Sequence, residues 1–156
     1  MTVEFERRTT LPTTPERAFD VSLDVDLHLE SFKDSEESIV GGVTSGEMAL
    51  GDTVTWRARH FGIWWTMTST ITEYERPHRF VDEQKKGPFK SFRHVHVFES
   101  LDDGSTLMID SVEFAAPLGV LGRIAEKVAL ERYLPRLIEL RNAELTRFFA
   151  SPGGAA

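Results

Sequence analysis

The chain has 156 residues, 40% hydrophobic and 28% charged, with a formal net charge of −7 and no cysteine. That length and composition fit one globular domain with its own core and exclude a disordered chain. The acidic balance, with Lys/Arg only in isolated pairs such as Arg7-Arg8 and Lys85-Lys86, speaks against a nucleic-acid partner, and the missing cysteines exclude disulfides, thiolate metal sites and a Cys nucleophile.

No apolar run reaches the roughly 18 residues of a bilayer-spanning helix, and Met1 to Thr10 is charged. A cytoplasmic protein without membrane insertion is the expectation. Val3 to Arg7 alternates and predicts a strand with Val3 and Phe5 inward. Thr14-Pro15-Glu16 is a helix start: Thr14 caps, Pro15 suits the first helical position, and Glu16 complements the dipole. Ala18 and Phe19 form its buried side. A second helical turn over 25–30 competes with an extended reading, because Val25, Leu27 and Leu29 alternate.

From Glu37 the pattern is an antiparallel meander. Strands are predicted over 38–44, 53–60, 63–74, 79–85, 90–98 and 106–114, separated by turn residues such as Phe61-Gly62, Arg76-Pro77-His78, Gly87-Pro88 and Asp102-Asp103-Gly104. After Pro117 the pattern turns helical: Leu118, Leu121, Ile124, Ala125 and Val128, then Leu134, Ile138, Leu145, Phe148 and Phe149. Pro135 is expected to kink or split this helix near Tyr133-Leu134. Residues 1–150 thus form one α+β domain, with 151–156 a frayed tail. It comprises a strand, two short helices, six more strands and a long helix covering one face of a curved sheet.

Lys90 to Phe98 carries the chemistry. Phe92, His94, His96 and Phe98 share one strand face, so two aromatic rings bracket two imidazoles on a face suited to burial. By the same parity Phe80, Asp82 and Gln84 on the preceding strand, and Met108, Asp110 and Phe114 on the following one, face the same way. With Trp56, His60, Trp65 and Met67 they predict a mostly apolar wall with a few convergent polar groups, as small-molecule pockets have. Arg141 on the long helix either snorkels or faces the interior to pair with Asp82 or Asp110.

An Asp110 pair with His94 or His96 serves as general acid and base, as a ligand contact, or as a structural pin. A metal held by His94 and His96 with Asp110 or His60 is the weakest option, because two histidines at this spacing are common in sheets without metal. No metal and no cofactor is expected. The serines lack a nucleophile-elbow context, so a hydrolase is not expected.

Several segments resemble the START/Bet v 1-like superfamily, the polyketide cyclase/dehydrase and lipid-transport group, and within it bacterial SRPBCC proteins. They are Leu11-Pro12-Thr13-Thr14-Pro15-Glu16-Arg17-Ala18-Phe19, Ile71-Thr72-Glu73-Tyr74 with Pro77 and Phe80, Gly87-Pro88-Phe89, His94-x-His96-x-Phe98, Asp110, Ala116-Pro117-Leu118-Gly119 and Arg141-Asn142. The resemblance spans about residues 3–149. It implies a helix-grip fold with a cavity between a seven-stranded sheet and the C-terminal helix. It does not name a ligand, since the group includes cyclases, hydroxynitrile-type enzymes, lipid carriers, hormone receptors and co-chaperones. The first expectation is binding or transport of a hydrophobic small molecule. The second is a cofactor-free cyclase/dehydratase using His94, His96 and Asp110. The third is a co-chaperone-like module, which the polar Thr66 to Thr72 face disfavours.

Overall fold

The computed structural model describes residues 2–32, 36–116 and 130–155. Strand β1 (Thr2–Leu11) is followed by helices α1 (Pro15–Ser22) and α2 (Val25–Ser31). Then come β2 (Ser38–Gly42), β3 (Thr53–His60), β4 (Ile63–Glu75), β5 (Arg79–Lys86), β6 (Ser91–Ser100) and β7 (Thr106–Ala115), the long helix α3 (Glu131–Ala150) and a short turn of helix, α4 (Pro152–Ala155). The sheet is antiparallel throughout, in the order β1-β7-β6-β5-β4-β3-β2. This is the α+β helix-grip arrangement.

Local sequence explains the small helices. Thr14 Oγ1 accepts from the Arg17 amide and Pro15 occupies the first turn of α1. At α2 the cap is Asp24, whose Oδ1 accepts from the amides of Asp26 (2.9 Å) and Leu27 (3.1 Å). That cap settles the ambiguity over 25–30 in favour of helix, because it satisfies donors an extended chain would not present.

Register in the β6–β7 hairpin is set by a tight turn. Asp103 Oδ1 accepts from the Ser105 amide at 3.0 Å, and Gly104 takes φ +84°, a conformation that strains residues with a Cβ. The hairpin places His96 opposite Asp110 and His94 opposite Val112, while β5 places Asp82 opposite His94 and Phe80 opposite His96. Register shifts in β4, at 68/69 and 71/73, bend the sheet.

The core joins the inner face of the sheet to α1, α2 and α3. Phe19 of α1 meets Tyr74, Phe80 and Phe98 edge-on at 5.1–5.6 Å, and Leu11, Val25, Met108, Leu145 and Phe149 complete the cluster. Pro135 is expected to kink or split the helix; α3 continues through it from Glu131 to Ala150, so the split does not occur. Its buried stripe is Pro135, Arg141, Asn142, Leu145 and Phe149, so two polar residues interrupt an apolar face. The helical repeat from Leu118 to Val128 falls outside the described residues. The tail, expected to fray, forms α4, and the Gly154 carbonyl accepts from Arg17 Nη2 at 2.5 Å.

Candidate functional site

The polar interruption in α3 meets the polar interruption in the sheet. Asp110, with no exposed surface, accepts at Oδ1 from Arg141 Nη2 (2.6 Å) and His94 Nε2 (2.7 Å), and at Oδ2 from Asn142 Nδ2 (2.8 Å). Asn142 Nδ2 also reaches Thr9 Oγ1 at 3.0 Å, and its Oδ1 accepts from Arg141 Nε at 3.1 Å. The helix is therefore bolted to β7 through one buried carboxylate and to β1 through Thr9. Burial alone would raise the Asp110 pKa; the Arg141 guanidinium and the hydrogen bond from His94 outweigh it and hold the carboxyl well below the usual range.

A second carboxylate sits one strand pair away. His96 Nε2 donates to Asp82 Oδ2 at 2.7 Å, while His94 Nδ1 lies 3.9 Å from the same oxygen. Both imidazole–carboxylate bonds run diagonally across the ladder rather than between directly opposed residues, and both are within reach on one sheet face. The rings of His94 and His96 stack at 3.7 Å, and Phe80 stacks on His96 at 4.1 Å.

Protonation follows from these contacts. Burial, reinforced by the neighbouring His96, lowers the His94 pKa to about 4 despite the Asp110 hydrogen bond, so this ring is neutral at pH 7. Asp110 only accepts, which puts the His94 proton on Nε2 and leaves Nδ1 a lone pair. Burial would raise the Asp82 pKa, but the His96 hydrogen bond and the nearby basic groups lower it, so Asp82 is ionised. His96 Nδ1 is buried without a hydrogen-bond partner; Asp110 Oδ1 lies 3.3 Å away but misaligned.

Asp110, expected as an acid/base candidate, is buried and held as an anion by Arg141, His94 and Asn142. Asp82, whose side chain keeps 22% of its surface exposed, is the accessible carboxylate of the cluster. Asn142 and Thr9 were not expected at the site; the one signal for them was an Arg-Asn pair within an otherwise apolar helical stripe.

The remaining predicted residues divide. Phe80, Phe98 and Met108 face inward and belong to the core cluster around Phe19. Phe114 is also fully buried, with Phe89 at 5.7 Å, and half-buried Phe92 packs on Phe89 at 5.2 Å. Gln84 clamps the β5–β6 loop instead of facing a ligand: Nε2 donates to the Phe89 carbonyl (2.8 Å) and Oε1 accepts from its amide (3.1 Å). His60 stands apart from the cluster, its Nδ1 2.5 Å from the Tyr133 hydroxyl, and burial lowers its pKa. Trp56 is half-buried with its ring 4.2 Å from that of His28. Met67 is half-buried on β4. Trp65, expected to be walled in, is 39% exposed and donates from Nε1 to the His60 carbonyl at 3.2 Å.

Burial therefore falls steadily along the inner face of β4, from Ile71 and Ser69 through Met67 to Trp65 and then Ile63, 56% exposed. One end of the face is plugged by aromatic core, and at the other Trp65 and Ile63 are exposed. The His/Asp cluster sits between, with Asp82 beside Ile71 in the β4–β5 ladder. Two other concave spaces lie elsewhere. One of about 250 Å³ is lined by Leu27, Ser31, Leu145 and Phe148 between α2 and α3. One of about 370 Å³ lies among Glu4, Glu6, Arg93 and Glu113. Neither touches the histidines.

A family model described as polyketide cyclase / dehydrase and lipid transport matches residues 2–148. Among solved structures, the Zhui aromatase/cyclase from Streptomyces sp. R1128 superposes with a TM-score of 0.77 at 16% identity, covering 99% of both chains. The protein TTHA0849 from Thermus thermophilus gives 0.72 at 15% identity, covering 93% of this chain and 98% of that one. The ginseng major latex-like protein 151 from Panax ginseng gives 0.67 at 12%, covering 94% and 96%. No curated protein matches the sequence. Among the described residues, no helix is long and apolar enough to cross a membrane.

Proposed function

The chain belongs to the polyketide cyclase / dehydrase and lipid transport family, and on that premise we propose that it binds a hydrophobic small molecule on the exposed part of its inner sheet face. The guest's polar end meets Asp82 and the histidines behind it. The observation that carries this reading is the accessible, ionised Asp82 at the boundary between plugged core and exposed apolar face. Burial of ring or acyl surface against Trp65, Met67 and Trp56 supplies affinity at about 25 cal/mol per Å², and the carboxylate with its His96 partner selects orientation.

A second reading, a cyclase or dehydratase, is favoured by the same pair: an ionised carboxylate hydrogen-bonded to an imidazole is equipped to take a proton from a guest and return it. Native mass spectrometry separates occupancy from chemistry. Protein purified without organic solvent is expected to carry a non-covalent apolar guest, or to take up an apolar fluorescent probe at one per chain. A bare mass with no saturable uptake would overturn the reading. With the guest in hand, Asp82→Asn leaves a carrier's occupancy within a few-fold but lowers an enzyme's turnover at least tens-fold.

A further inference from the structure

The cluster joins two carboxylates and two imidazoles to one guanidinium, Arg141, whose contact is to Asp110. One ligating atom from each of Asp82, His94 and His96 lies within 4.8 Å of the others, and Asp82 keeps a path to solvent. We propose that Asp82, His94 and His96 form a binding site for a divalent first-row transition ion of the zinc type.

The groups behind the ligands make the case. His94 Nδ1 is already a free lone pair, and its Nε2–H is already held by Asp110 at 2.7 Å. His96 needs one change. An ion at Nε2 displaces the proton of the Asp82 hydrogen bond to Nδ1, the buried atom that has no hydrogen-bond partner. There it lies 3.3 Å from Asp110 Oδ1, and a turn of the ring aligns the N–H with that oxygen. Both ligating rings then donate their second N–H to one carboxylate, itself fixed by Arg141 and Asn142. This is the outer pattern of hydrogen bonds that orients imidazole ligands and raises their basicity. Metal–ligand bonds of about 2.0–2.2 Å set ligand atoms about 3.3–3.5 Å apart in a tetrahedron. The 2.7 Å contact to His96 therefore opens and the 3.9 Å contact to His94 closes, each by well under about 1 Å. Two imidazoles and one carboxylate leave a fourth position on the side where Asp82 is exposed. The third ligand is not Asp110 or His60, the two that the sequence offers, because Asp110 is turned to Arg141, Asn142 and the second N–H groups of the rings, and His60 is engaged with Tyr133.

The site uses the cluster and not the guest, so it is tested on guest-free protein. Chelator-stripped full-length protein is titrated with Co²⁺ and followed by visible absorption. The expected result is one ion per chain with ligand-field bands of low coordination number, displaced by Zn²⁺, lost in Asp82→Ala and retained in His28→Ala. Because Asp82 is partly exposed, that variant is expected to fold, which circular dichroism checks. On adding Zn²⁺ a new downfield ring N–H resonance of His96 Nδ1 is expected in the proton spectrum. Absence of saturable binding, or bands that survive Asp82→Ala, would overturn the site while leaving guest retention by mass spectrometry untouched.

Discussion

Replacing Arg141 with methionine is expected to destabilise the fold by about 3–5 kcal/mol, because it strands a buried carboxylate rather than removing an ordinary contact. Asp110 has no exposed surface and accepts from Arg141, His94 and Asn142. Without the guanidinium it must either stay charged in a low-dielectric interior or take up a proton, and both cost free energy. Combining Arg141→Met with Asp110→Asn removes the stranded charge, so the double variant is expected to recover more than half of the loss. Urea midpoints of the wild type, the two single variants and the pair, with slopes compared, check this. A single-variant loss under about 1 kcal/mol would mean that water reaches Asp110.

Acid is the second lever. In chelator, stability is expected to fall by up to about 3 kcal/mol between pH 6.5 and 4, from His94 alone. The His94 pKa is about 4 in the fold against 6.5 for an unburied histidine, so the unfolded chain takes up the proton first as pH drops through that window. The contribution is fully present above 6.5 and is gone below 4. The groups facing His94 are Asp110, Asp82 and His96, with Arg141 behind Asp110. The lowered pKa values of Asp82 and Asp110 act in the same sense, extending the loss below the ordinary carboxylate range. Urea midpoints against pH read the slope, and His94→Gln is expected to flatten it between 6.5 and 4. An unchanged slope in that variant would assign the acid sensitivity elsewhere.

Much of this architecture is legible from local pattern. The period-two alternation of β6, the Asp102-Asp103-Gly104 turn and the Thr14-Pro15 start each carry their own chemistry, and each appears where that chemistry puts it. For Arg141 the pattern leaves snorkelling and pairing with Asp82 or Asp110 open, and the guanidinium meets Asp110. What parity cannot supply is depth. Trp65 and Ile71 share a face of β4, yet one is exposed and the other is core, because Phe19 and its neighbours cover one end of the strand only. Nor does parity say which carboxylate stays open. Asp82 and Asp110 face the same way, and only Asn142 and Arg141, arriving from a helix much later in the chain, decide that Asp110 is sealed. Gln84 is drawn away by the local geometry of the β5–β6 loop, where a backbone amide and carbonyl of Phe89 offer it both partners.

A carrier or a cyclase of this kind holds its guest against the histidine pair. Nitrogen-resolved NMR of the imidazoles in metal-free protein, titrated with an apolar fluorescent probe, reads this directly. The predicted result is saturable binding with the ring resonances of His94 and His96 shifting together, while that of His78 stays in place. Saturable binding that leaves His94 and His96 unmoved would put the guest elsewhere on the protein and contradict the account.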